Sequence, residues 1–211
     1  MLVGRGSLSF RTFEVSGKNP TPSHQLIVNR LEKFAFAGIK SREEGAVTGW
    51  VGPEHLFDGD FNAAKIFRGQ YAVFAFRVDT LKVPGNLIQA HTAVAIQAEM
   101  TAEGVEKLSG KRKREIKLDI KHQLLEEIPP TQRAYGVFWN VQAKKLYLQN
   151  TSKTIVEHFR ALVERSFDIV VEPQVPGLKA ANHARDRGTL QALKDARPVT
   201  LDLRPELALA V

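Results

Sequence analysis

Cysteine is absent from the 211 residues, which excludes a disulfide framework, a thiolate metal site and redox chemistry at sulfur. No stretch approaches the roughly 18 consecutive apolar residues of a membrane-spanning helix. The opening residues Met1-Leu2-Val3-Gly4-Arg5 lack the basic start and sustained apolar core of a signal peptide, so a cytoplasmic location and no membrane partner are expected. No GxxxxGK[ST] or GxGxxG phosphate loop occurs, and no serine sits in a nucleophile elbow; ATP use and acyl transfer have no support. His24, His55, His91, His122, His158 and His183 are scattered, without HExxH or comparable ligand spacing. We therefore expect no catalytic site, no metal and no cofactor.

What is present is the composition of a folded, basic chain. Hydrophobic residues make up 43% and charged residues 25%, enough apolar content for a packed core in one domain or two small lobes. Thirty Lys plus Arg stand against 23 Asp plus Glu, a formal charge of +7. Such a balance points to a polyanionic partner without choosing among DNA, RNA and acidic lipid.

Periodicity outlines the elements. Leu8, Phe10 and Thr12 alternate with Ser9 and Arg11, predicting a first strand that ends in a turn at Ser16-Gly17 and Asn19-Pro20. Thr21 and Pro22 open a helix with Leu26, Ile27, Leu31 and Phe34 at helical spacing. Residues 40–68 read as loops and short strands around Trp50. Ile66–Val78 predicts a strand, or a hairpin broken at Gly69, apolar on both faces and therefore central. Helices are predicted over 84–103 and from about Val105 to Glu127, where Pro129-Pro130 ends the second. A hairpin follows at Tyr135–Val141 and Lys145–Gln149, then a helix capped by Thr151 or Ser152, then a strand at Phe167–Val171. This order predicts an α+β fold, with a mixed or antiparallel sheet, packed helices and one long charged helix. Residues 1–172 read as the folded domain, with 80–132 a helical extension. Residues 173–211 read as a C-terminal arm or tail holding a polar helix from about Leu178 to Ala196. No internal repeat is visible.

The densest basic run holds Lys107, Lys111, Arg112, Lys113, Arg114, Lys117 and Lys121. On a helix Lys113, Lys117 and Lys121 stand four apart and share a stripe, while Glu115, Asp119 and Glu126 gather elsewhere. Like charges at that spacing cost a helix a few tenths of a kcal/mol per pair, so the arrangement suits an external polyanion better than helix stability. Taken alone, a charge run is more often a solvated face. Ile116, Ile120, Leu124 and Ile128 lie close in angle to the lysines, which rules out a clean membrane-surface helix. Lys144 and Lys145 at the hairpin turn are further candidates for phosphate contact. Nothing resembles a helix-turn-helix, zinc finger or basic zipper, so backbone-directed, sequence-independent binding is the expectation.

Several short elements, in order, carry a resemblance. Gly49-Trp50-Val51-Gly52-Pro53 resembles a Gly-Trp-Val-Pro-Pro element; the Lys-rich helix closes in Leu124-Leu125 with a nearby proline; Val137-Phe138-Trp139-Asn140, Lys145-Leu146-Tyr147-Leu148 and Thr151-Ser152-Lys153 follow. Over roughly residues 6–172 the chain resembles the RdgC family of recombination-associated DNA-binding proteins. The resemblance implies a homodimeric ring or clamp that encloses double-stranded DNA without sequence preference, restrains a RecA-type recombinase by occupying DNA, and associates with the nucleoid. Two departures stand out: Gly52 replaces a proline, and Glu126-Glu127-Ile128 stretches the Leu-Leu-Pro element. The family continues beyond the point where this sequence ends, so ring closure is not implied with equal force.

Three further features have sharper and blander readings. Trp50 and Trp139 could stack on bases, but core anchoring is the commoner use of tryptophan. Glu115-Ile116-Lys117 matches the Glu-x-Lys half of a magnesium-dependent nuclease signature, but it falls inside a predicted helix. Asp58-Gly59-Asp60 offers two close carboxylates, with a tight turn the simpler meaning. A nuclease, or an assembly protein binding an acidic partner, are the alternatives to DNA occupancy.

Overall fold

A computed structural model describes residues 9–196. The chain divides into two compact units, Met1–Glu172 and Pro173–Val211. The first is an α+β unit. Its strands are β1 (Arg11–Gly17), β2 (Gly45–Val51), β3 (Phe67–Arg68), β4 (Tyr71–Leu81), β5 (Thr131–Asn140), β6 (Lys145–Leu148) and β7 (Ile169–Pro173). They form one sheet in the order β2-β4-β5-β6-β1-β7, with β3 pairing β4. The β1–β6, β2–β4, β3–β4, β4–β5 and β5–β6 pairs are all antiparallel.

The prediction of a central strand holds at β4, and the hairpin reading does too, because β3 and β4 are joined through Gly69 at φ +60°. One face of β4 sends Ala72, Phe74, Phe76 and Val78 into the main core. Against them pack α1 (His24–Lys33) through Ile27, Val28 and Leu31, the single turn α2 (Ala63–Ile66) through Ile66, and α5 (Lys153–Phe167) through Phe159, Leu162 and Val163. The other face buries a charged pair: Arg77 Nε and Nη2 meet Asp79 at 2.8 and 2.7 Å. The rings of Phe36 and Phe57 flank that guanidinium at 4.1 and 4.9 Å, which supplies cation–π contact.

Trp50 on β2 and Trp139 on β5 are both fully buried; core anchoring, not base stacking, is what they do. Trp50 donates its indole N–H to Ser166 Oγ of α5 at 2.9 Å and stands 5.2 Å edge-on to Phe74. Its backbone pairs with a short returning segment, Trp50 N to Phe34 O and Phe36 N to Trp50 O. The backbone of Phe36 passes so close to Gly49 that a Cβ there would lie 2.4 Å from Phe36 Cα.

A second cluster forms at the end of β4. Leu81 and Val83 pack with Leu124 and Leu125 of α4 (Gly110–Glu127), joined by Ile39, Leu87, Ile88, Ile120 and Ile128. Leu87 and Ile88 open α3 (Gly85–Glu103), so the α3–α4 hairpin is rooted here.

Several boundaries differ from the sequence reading, among them the α1 cap, which is Ser23 and not Thr21, and the start of β5, which is Thr131 and not Tyr135. The first strand is Arg11–Gly17 and buries Phe13 and Val15; the inward set is the Phe13 parity, and Phe10 and Thr12 fall on the opposite side. Leu8 lies outside the described residues. The charged helix starts at Gly110, not Val105, because Ser109 caps it by accepting from Arg112 N–H at 3.2 Å. Helix α5 runs on through Phe167, and its strand partner begins only at Ile169, after Asp168 turns the chain at φ +55°. In the second unit the predicted single helix is two, α6 (Pro176–Asp186) and α7 (Leu190–Asp195), broken at Gly188 with φ +70°.

The two tryptophans give a direct test. Trp50→Phe strands the buried Ser166 hydroxyl, whereas the Trp139 indole nitrogen has no hydrogen-bond partner among the described residues. Trp50→Phe should therefore cost about 1–3 kcal/mol more than Trp139→Phe, read as the difference in urea midpoint at equal slope.

Candidate nucleic-acid interface

The basic run sits on a projecting helical hairpin. Helices α3 and α4, of 19 and 18 residues, are each roughly 27 Å long. Gly104 in the left-handed conformation ends α3, and residues 105–109 turn the chain into α4. Because the hairpin is rooted by Leu87, Ile88, Leu124 and Leu125, the first turns of α4 lie at its free end. Along the axis Ile120, Leu124 and Ile128 serve the root, while Ile116 is buried within the cationic stretch itself.

The cations are not equivalent. Arg112 is committed to the hairpin itself: its Nε and Nη2 meet the two carboxylate oxygens of Glu99 on α3 at 2.6 and 3.0 Å, and Nη1 meets Glu115 at 3.3 Å. That bond holds Glu99 below the usual carboxylate range and raises the guanidinium further. Lys121 binds Glu44 at 2.7 Å, which ties the root of α4 to the segment before β2. Lys111 is 89% exposed with only a 3.9 Å approach to Glu115. Lys113, Arg114 and Lys117 make no ion pair among the described residues, and neither does Lys107 in the connecting turn. Of the sequence stripe Lys113–Lys117–Lys121, Lys121 is ion-paired, which leaves Lys113, Arg114 and Lys117 unpaired in the first half of α4, with Lys107 and Lys111 nearby in the chain.

Lys144 and Lys145 stand elsewhere. Lys144 occupies the β5–β6 turn at φ +52°, and Lys145 pairs in register with Asn140 at the end of β5. Ten residues of β5 separate that turn from the root of α4, roughly 30 Å of strand, so the hairpin lysines and the α4 cluster are two places and not one.

The two candidate acidic sites have structural occupations. Glu115 of the Glu-x-Lys triplet lies on α4, bonded to Arg112. Asp58 is buried and organises its own loop, accepting from Glu54 N–H at 3.1 Å, Asp60 N–H at 3.2 Å and Lys65 Nζ at 2.6 Å. Burial pushes the Asp58 carboxyl up, but Lys65 and the two backbone donors outweigh it and leave its pKa below the ordinary 3.8. Among the described residues no three His, Asp or Glu side chains are grouped to hold a metal ion.

A family model described as "Putative exonuclease, RdgC" matches residues 10–184 of the chain. The chain belongs to the RdgC family. A search of curated proteins returns no match. At family level, membership supports a recombination-associated role in DNA binding. The match also reaches twelve residues past position 172, into α6, so the RdgC likeness extends further than the sequence landmarks indicated.

The two RdgC departures now have physical reasons. Gly52 donates its N–H to Asp58 O at 2.7 Å, which proline could not do. The Asp58 carboxylate also fills the space of a side chain at position 52, 2.2 Å from where a Cβ would stand. The stretched Glu126-Glu127-Ile128 is pinned by Arg42, which donates to the carbonyls of Glu126 and Ile128, while Ile128 joins the second cluster. Sequence reading missed two further cations, Lys82 and Arg133, which line a cavity against the start of α5. Each is isolated in the chain. The only signal available was strand parity, which puts Val78 and Thr80 on one face of the sheet with their partners Arg133 and Thr131, and Lys82, just past the end of β4, next in the same alternation.

Two outcomes test these assignments. In a double-mutant cycle, Arg112→Ala and Glu99→Ala should show favourable coupling in thermal unfolding that shrinks as salt approaches about 1 M; Lys113→Ala with Glu99→Ala should show none. Lys65→Met should cost about 2–3 kcal/mol at neutral pH. Because the folded Asp58 pKa is depressed, its contribution is complete above the unfolded value near 4 and disappears as pH falls through the lower folded one. Asp58→Asn should flatten that acid limb in pH-dependent denaturation.

Proposed function

We propose that the protein binds duplex DNA by neutralising its phosphate backbone without reading base sequence, and that it acts by occupying DNA and not by catalysis. The observation that carries this reading is the first half of α4, on the side of the α3–α4 hairpin away from its apolar root. There Lys113, Arg114 and Lys117 fall within little more than one helical turn and lack carboxylate partners among the described residues, while the neighbouring Arg112 and Lys121 are used for structure. Cations left unpaired on a projecting element cost the isolated protein stability and favour a polyanion. Among the described residues the one short helix–turn–helix pair, α6 and α7, ends in a helix of six residues without a basic face, so phosphate contact is the natural mode.

With Lys107, Lys111, Lys113, Arg114 and Lys117 engaged, log K should fall against log salt with a slope of about −4.5. The finer reading is a dimeric clamp. It is supported by family membership and by α3, which carries no charge besides Glu99 and Glu103, has no fully buried residue, and leaves Val94 71% exposed. Occupied DNA would be denied to a RecA-type recombinase, and binding of this kind would associate the protein with the nucleoid.

Replacing Lys113, Arg114 and Lys117 with Ala should weaken binding equally for unrelated duplexes and flatten the salt slope by about 2.7 units. An unchanged slope in a filter-binding titration removes the α4 tip from the interface. Light scattering of the DNA-bound species reads whether it holds two chains of 23.5 kDa. The family description favours one competing reading, an exonuclease. Shortening of linear DNA with magnesium, abolished by Glu115→Ala, would replace occupancy with catalysis.

A further inference from the structure

Strands β4 and β5 pair with Val78 opposite Arg133 and Thr80 opposite Thr131. Val78 faces the main core, so the alternation of the strands puts Thr80 and Lys82 on that same side beside Thr131 and Arg133. Helix α5 covers this side further along but begins only at Lys153. Between its first turn and the strand ends lies an open cavity of about 500 Å³.

Its lining has a single electrostatic sign. Lys82 and Arg133 both border it, no carboxylate does, and neither cation is in an ion pair among the described residues. Glu44, whose carboxyl Lys82 helps to keep charged, is already bonded to Lys121 at 2.7 Å. Thr80, Thr131, Ser152 and Thr154 add hydroxyls. The Ser152 hydroxyl makes no capping bond, and the first turn of α5 contains no acid. Two cations sharing one cavity repel each other unless something negative lies between them. Phosphate oxygens would satisfy both, together with the hydroxyls.

We propose that this cavity is an anion site for a phosphate group carried on a sugar. Lys82 and Arg133 neutralise the phosphate; Thr80, Thr131 and Ser152 hydrogen-bond its oxygens. A bare phosphate leaves most of the volume empty, whereas a sugar-phosphate unit is of the size such clefts take. The phosphate has two sources, a phosphodiester of the nucleic-acid backbone or a free mononucleotide. The first source rests on the DNA-binding reading above; the second does not.

The test uses the full chain and its Lys82→Gln/Arg133→Gln variant. Both side chains are exposed, and an unchanged thermal midpoint checks the fold. One arm titrates a 30-base-pair duplex against salt; the other follows backbone amide resonances while thymidine 5′-monophosphate is added. A backbone source predicts that the variant's salt slope flattens by about 1.8 units. A free-nucleotide source predicts shifts at Thr80, Thr131 and Ser152 in the wild type that vanish in the variant and persist in Lys113→Ala/Arg114→Ala/Lys117→Ala, with the duplex slope unchanged. Either result supports the site. A wild type that binds no duplex but shows the nucleotide shifts overturns the DNA reading and keeps the cavity. An unchanged slope together with no shifts at those three residues overturns the cavity, whatever α4 does.

Discussion

Burying the indole of Trp50 dictates how four pieces of chain meet. The ring needs apolar neighbours on every side, which Phe74, Phe76, Phe159 and Phe167 supply, and its N–H needs an acceptor, which Ser166 supplies. Satisfying both requires α5 to lie across β2 and β4 from Phe159 to Phe167, while its first turn at Lys153 borders the open cavity by the strand ends. The same residue holds the chain leaving α1 through two backbone bonds. That return is possible because Gly49 has no side chain to obstruct Phe36. Gly49-Trp50 is thus one device in two residues, a bulky anchor and the space that lets a neighbouring backbone reach it.

The charges divide along similar lines. Some cations are structural: Arg77 with Asp79 inside the sheet, Lys65 with Asp58 in the loop after β2, Arg112 with Glu99 across the hairpin, Lys121 with Glu44 at its root. Paired this way they contribute nothing to attraction for an outside anion. The excess of +7 therefore has its effect through the remainder, and on α4 that remainder is concentrated in the first half of the helix. The overall charge pointed to a polyanion; subtracting the internal pairs localises where on α4 the attraction acts.

Local pattern was legible and long-range pairing was not. The two-faced apolar run of β4, the α1 stripe and the β5–β6 hairpin could be read because each rests on residues close in the chain. The parity of β1 could not, since Phe10 and Phe13 are equally apolar and only packing against Phe159 picks Phe13. Arg112 and Lys121 looked like their neighbours because their partners, Glu99 and Glu44, come from other elements. Lys82 and Arg133 escaped notice for the converse reason: the fold brings them to one cavity, and neither belongs to a run. The Ser109 cap and the break at Gly188 were readable in principle, as a capping serine and a glycine able to adopt positive φ.

The hairpin's construction has a mechanical consequence. Its unpaired cations stand toward one end of a helical pair that a small apolar cluster holds at the other, so α3 and α4, clamped together by Arg112 and Glu99, would move as one lever with Leu81, Val83, Leu124 and Leu125 as its fulcrum. A tilt of about 10° at that fulcrum carries the far end of an 18-residue helix through roughly 5 Å, more than the 3.4 Å or so of axial rise between successive phosphates on one strand. Repacking by a methyl group deep in the second cluster would therefore be felt at the tip as a change of phosphate register.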